Sequence, residues 1–169
     1  MVVLARACRA LVRLADALAG ASGWLSMAFL VVLVVTMTVE VFMRRVIGSP
    51  TDWAYDVAWM SNGAVFVLAV AVVLRERRHI AIDFLAMTFP SRLRAAIDAI
   101  FFGLLLTPLF VFLAHVAWAE AIDAMMTGRV DRVSPWAPKL WPYMSALAVG
   151  LTALALECLA TALRTGERA

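Results

Sequence analysis

Charge is what this sequence has least of. Only 16% of its 169 residues are Asp, Glu, Lys or Arg, whereas 64% are apolar, and the mean hydropathy is +0.91. A water-soluble domain carries about a quarter charged residues and under half apolar ones, so that class is excluded. Cysteine is almost missing as well. Cys8 and Cys158 stand near opposite ends of the chain, which gives neither a disulfide framework nor a metal-ligand spacing. The net charge of +3 is too small to point to nucleic acid. No Ser, Thr or Cys has a plausible base beside it, so no nucleophilic site is legible. Internal repeats, low-complexity tracts and any sign of a second domain are absent too, and residues 1–169 read as one membrane domain.

What is present is long runs without charge. Ala17–Val39 holds 23 such residues, Val57–Leu74 holds 18, and Leu140–Leu156 holds 17. Ala99–Ala119 holds 21, with only His115 ionisable. A spanning helix needs about 20 apolar residues to cross a ~30 Å hydrocarbon core. Backbone amides find no other partners in lipid, so these runs must be helical. The expected fold is an all-α integral membrane protein with four transmembrane helices, over about 21–45, 53–75, 93–120 and 139–163.

The cations set an expected orientation. Arg6, Arg9, Arg13, Arg75, Arg77, Arg78, Arg92, Arg94, Arg164 and Arg168 flank the spans on one side. Arg44, Arg45, Arg129, Arg132 and Lys139 flank them on the other. The richer side is cytoplasmic by the positive-inside rule, so both termini are expected inside and the first and third loops outside. Trp53, Tyr55, Trp59, Trp118, Trp136, Trp141 and Tyr143 then cluster at the outer ends, where rings with one polar edge favour the headgroups. Before the first span, Arg6, Arg9, Arg13 and Asp16 follow a 3-4-3 spacing opposite Ala7, Leu11, Leu14 and Leu18. This reads as a basic amphipathic segment on the inner leaflet and not as a cleaved signal, because charges interrupt its apolar stretch.

Between the spans, Ile47–Asp52 has turn chemistry, and Asp52 is an expected N-cap for the second helix. The run His79–Phe89 is too short to span and too apolar for a solvated loop, so a short interfacial amphipathic helix is expected over about 78–89. Pro108 should kink the third helix. Pro138 and Pro142 both suit the first turn of the fourth.

Ionisable residues at membrane depth are suspects for function. Glu40 admits two readings, an ion pair with Arg44 four residues on or the coupling carboxylate of a small exporter. Glu157 is close enough to the inner end to snorkel. Asp56 and Asp98 sit where a helix dipole favours carboxylates. Asn62 is expected to hydrogen-bond to a neighbouring helix. His79 and His115 do not fit one haem, because about 1.5 Å of rise per residue puts them roughly 30 Å apart across the membrane. Small residues line stripes on two helices: Ala54, Ala58 and Asn62 on one, and Ser145, Ala148, Thr152 and Ala155 on the other.

Three patterns carry a family resemblance. Arg44-Arg45 is followed by a Gly48/Pro50 turn, Asp52 and Trp53. Arg78-His79-Ile80-Ala81-Ile82-Asp83 forms a His-aliphatic-x-aliphatic-Asp run. Ser134-Pro135-Trp136 precedes Trp141-Pro142. In their order and spacing, over essentially the whole chain, these resemble the DctQ-like small membrane subunit of tripartite ATP-independent periplasmic (TRAP) transporters. One departure is that the family often has glutamate shortly after the helix-two tryptophan, whereas this chain has Asp56 three positions after Trp53.

The resemblance implies a non-catalytic subunit of the bacterial inner membrane, without cofactor or metal. Its implied partners are a large membrane transport subunit and a periplasmic substrate-binding protein, in sodium-coupled uptake of organic acids or similar solutes. On that reading Arg44, Asp52, Trp136 and Lys139 would face the periplasmic partner, and Trp53, Asp56 and Trp141 are further structural or interface candidates. Arg78, His79 and Asp83 would fix the interfacial helix. The alternative is a four-helix membrane anchor of a redox or quinone-linked enzyme.

Overall fold

A computed structural model of the chain describes residues 2–76, 97 and 99–166. Arg78, His79, Asp83, Arg92, Arg94, Asp98 and the expected interfacial helix lie outside the described residues. The regular structure is helical: α1 (Val2–Phe42), α2 (Ala54–Arg75), α3 (Thr107–Thr127) and α4 (Trp141–Gly166). Two π-helical segments, Met43–Ile47 and Ile100–Leu106, extend α1 and lead into α3. With their π-helical extensions, four helices are long and apolar enough to cross a membrane.

α1 departs most from the sequence reading. It begins near the N-terminus, and the basic segment joins the first span without a break. Its 41 residues reach about 60 Å at 1.5 Å per residue, twice the hydrocarbon thickness. No proline precedes Pro50, and the Ala- and Leu-rich stretch propagates a helix easily. Arg75 Nη1 also donates to the carbonyl of Asp16 at 3.0 Å, holding the junction against α2. At its far end the helix widens into π turns and stops at Gly48, whose φ of 75° supplies a left-handed cap.

Two expected end signals are corrected. Asp52 does not cap α2: Trp53 occupies the N-cap position, without a side-chain cap bond, and Asp52 is exposed. The acid of the first turn is Asp56. Pro138 does not open α4, which starts at Trp141 with Pro142 in its first turn. Pro138 is committed to the preceding loop, where its carbonyl accepts from Asp131 N at 2.9 Å.

The distortion expected at Pro108 takes the form of the π segment just before it. A proline nitrogen cannot donate to the turn behind it, so that turn needs other partners. The carbonyl left without that donor is Leu104's; one residue earlier, the Thr107 backbone N–H and hydroxyl (2.7 Å) both donate to the carbonyl of Phe102, the five-residue pattern of the π segment.

α1, α2 and α4 pack on one another, whereas α3 packs on α4. In α4's spanning window 56% of residues are buried, against 6% in that of α3. α4 is therefore the central element and α3 a peripheral one. Its stripe of Ala146, Ala148, Gly150, Ala153, Ala155 and Ala160 permits close approach on two sides. A Cβ on Gly150 would stand 2.8 Å from Val67 Cγ1 and 3.0 Å from the Val67 carbonyl. One on Gly63 would meet the Tyr143 hydroxyl at 2.7 Å. Two side-chain bonds tie the layers: Ser26 Oγ to the Val65 carbonyl at 3.1 Å, and Trp118 Nε1 to Thr152 Oγ1 at 3.0 Å.

Asn62 faces out of the bundle, contrary to expectation. Ala58, Ser61, Ala64 and Leu68 fill the buried stripe of α2, and Asn62 lies about 100° round from Ser61. It shares the exposed face with Tyr55 and Phe66.

Candidate functional site

Arg44, Asp52, Trp53, Asp56, Trp136, Lys139 and Trp141 lie at the end of the bundle that carries the loops 43–53 and 128–140. Glu40 organises the first loop. Its Oε1 accepts from Arg44 Nε at 3.1 Å and Nη2 at 2.7 Å, and its Oε2 accepts from the backbone N–H of Thr51 at 3.1 Å. The Thr51 hydroxyl donates to the same oxygen. One carboxylate therefore ties the last turn of α1 to the loop that enters α2. Arg44 remains largely exposed while Glu40 is mostly covered.

The second loop is built as tightly. Gly128 ends α3 in a left-handed cap with φ of 62°, its N–H donating to the Ala124 carbonyl. Val130 and Lys139 then form an isolated antiparallel bridge, flanked by Leu140 N to Arg129 O at 3.1 Å. At the tip, Asp131 Oδ1 accepts from Val133 N at 2.9 Å, and a turn closes from Ala137 N to Ser134 O at 3.2 Å. Ala137 pays for that turn with φ of 47°, a left-handed conformation rare for a residue with a Cβ. Arg129 bonds Glu120, and this contact raises the guanidinium pKa above its ordinary value.

Asp56 joins this loop to α2. Only 3% exposed, it accepts a hydrogen bond from the Ser134 hydroxyl, and Ser134 Oγ in turn accepts from the Trp136 backbone N–H at 3.2 Å. The acid that departs from the family pattern, Asp56, and the Ser-Pro-Trp run are thus joined in one contact. The sequence alone gave no pairing signal across this separation. A polar residue one turn into an apolar helix was the available hint.

Two hollows open beside that contact. One of about 280 Å³ is lined by Asp52, Tyr55, Asp56, Trp59, Asp131 and Ser134 among others. The second, of about 340 Å³, is almost wholly apolar; Phe29, Val57, Met60, Trp136 and Tyr143 line it, and Lys139 is the charged residue in its lining. The structure therefore brings Asp52 and Asp56 together, and separately Trp136 and Lys139. Arg44 lines neither hollow. Trp53 sits half-buried before α2, its carbonyl accepting from Val57 N at 3.1 Å. Trp141 opens α4 and its carbonyl accepts from Ser145 Oγ at 2.7 Å. Among the described residues, no three His, Cys, Asp or Glu side chains converge as a metal site requires.

The opposite end holds a cluster that sequence reasoning missed. Glu157 does not snorkel: it is fully buried, and its Oε1 accepts from Arg164 Nη1 at 2.7 Å. Arg164 Nη2 also donates to Asp16 Oδ1 at 2.6 Å, which joins the end of α4 to α1. The seven-residue spacing of Glu157 and Arg164, two helical turns, was the available signal.

The family model for the DctQ component of tripartite ATP-independent periplasmic transporters matches residues 32–167. No curated protein and no solved structure matches the chain.

Proposed function

Since the chain belongs to the family of the DctQ component of TRAP transporters, a non-catalytic multi-pass subunit of the bacterial inner membrane, we propose that it is the scaffold of its complex. In this reading it braces a large membrane subunit that carries the solute. It also presents a fixed docking surface to a periplasmic binding protein, for sodium-coupled uptake of organic acids or similar solutes. Both termini lie in the cytoplasm, residues 1–169 form one membrane domain, and Arg78, His79 and Asp83 fix an interfacial helix over about 78–89.

The observation that carries this reading is the Asp56–Ser134 contact. It spends a buried carboxylate on holding a loop, which is the role of a structural support and not of a transport site. The loop it holds displays Trp136, Lys139 and the almost fully exposed Val133 on the side assigned to the periplasm. An interface core enriched in tryptophan with a rim of charge is the usual make-up of a docking patch. Arg44 and Asp52 lie at the same end. No observation favours the redox-anchor alternative.

Reconstitution tests the proposal. The complete three-part complex should take up solute, whereas this chain alone should not. Full activity of the large subunit without it would sink the scaffold role. Trp136→Ala with Lys139→Glu should weaken docking of the binding protein while leaving assembly of the two membrane subunits intact. Unchanged docking would remove this loop from the interface.

A further inference from the structure

We propose that the hollow between the first turns of α1 and the last turn of α4 binds the phosphate of an anionic phospholipid. This site lies at the opposite end from the proposed docking surface. It depends on the protein being membrane-embedded but not on which way it faces.

The hollow measures about 170 Å³ and is lined by Cys8, Arg9, Val12, Arg13, Leu163 and Arg164. Among the described lining residues, three are arginines, contributed by two different helices. Arg9 and Arg13 lie four residues apart and so project from one face of α1. Arg164 approaches from α4 and is held in place by Glu157 and Asp16 at 2.7 and 2.6 Å. A guanidinium fixed in this way is pre-organised, whereas a freely snorkelling one must lose rotamer entropy on binding. Arginines that line one small volume offer it planar donor forks, which match the oxygens of a phosphate.

Depth and lining favour a lipid over a soluble anion. Arg75 and Arg164 end the apolar windows of α2 and α4, so they mark the headgroup level. Arg13 and Arg9 stand three and seven residues before Asp16, which accepts from both Arg75 and Arg164. This sets them about 5 and 10 Å beyond that level along the helix. Leu163, on the membrane side of Arg164, adds an apolar contact suited to the glycerol end of a lipid. Basic pockets between spanning helices are a recurring form of anionic-lipid site.

The experiment is native mass spectrometry of the full chain in detergent, titrated with phosphatidylglycerol or phosphatidylcholine. Phosphatidylglycerol should stay bound at activation energies that strip phosphatidylcholine. The double variant Arg9→Gln/Arg13→Gln should lower its apparent affinity about tenfold, near 1.4 kcal/mol. Both side chains are exposed, and the melting temperature of the variant checks that it keeps its fold. Arg45→Gln, which removes one positive charge at the other end, should leave binding unchanged. Equal retention of the two lipids, no effect of the double variant, or an equal effect of Arg45→Gln would overturn the site. Displacement of the lipid by millimolar inorganic phosphate would overturn its assignment to a lipid.

Discussion

Ser134 donates to Asp56 across 78 residues of sequence, and the contact fixes the loop after α3 onto the first turn of α2. Because the carboxylate is buried, losing either partner strands a polar group. A hydrogen bond to a charged group contributes about 1.5–3 kcal/mol, more than most. Asp56→Ala and Ser134→Ala should therefore each lower the melting temperature in detergent, and the double variant should lower it little further. Simple additivity of the two losses would show that the contact is not coupled.

The Glu157–Arg164 pair should behave as a buried ion pair. Arg164→Gln leaves a fully buried carboxylate without its cation, a change that typically costs about 3–5 kcal/mol. Adding Glu157→Gln should recover much of that loss, because two neutral amides need far less solvation. Thermal unfolding of the single and double variants decides this. A double variant less stable than Arg164→Gln would contradict it.

Close helix approach makes a graded prediction. Gly150→Ala places a methyl against the Val67 carbonyl, which belongs to α2's backbone and cannot turn aside. Overpacking of this kind costs about 1–3 kcal/mol. Gly63→Ala meets the end of the Tyr143 side chain instead and should cost less. Melting temperatures should therefore rank wild type, Gly63→Ala, then Gly150→Ala. The reverse order would place the tightest contact elsewhere.

Glu40 separates the scaffold from the small-exporter alternative. Its oxygens are taken by Arg44 and Thr51. Glu40→Gln should loosen the first loop, yet solute uptake by the whole complex should persist. Abolished transport, with the complex still assembled, would return Glu40 to the role of a coupling carboxylate.

Much of the architecture was legible from charge alone. Val57–Leu74 is the interior of α2, and Leu140–Leu156 starts one residue before α4 and supplies its first sixteen residues, because lipid leaves an uncharged run of that length only one backbone solution. The ion pair of Glu40 with Arg44 was equally legible, as a four-residue spacing within one helix. Legibility failed where partners are distant. Asp56 and Glu157 each looked like a polar residue with an obvious local role, and Asn62 like one bonded to a neighbouring helix. Asp56 instead meets a loop, Asn62 faces outward and Glu157 is sealed in the bundle.

Composition and spacing by themselves determined that this is a membrane protein of four long apolar helices, and the order of its motifs indicated the family. Hydrophobic length is a local property, so a single chain read in one dimension suffices. Only the tertiary structure decided that α4 is central and α3 peripheral, and which polar residues meet. Alanine and glycine stripes occur on more than one helix, and which of them are covered depends on how the helices are arranged in space.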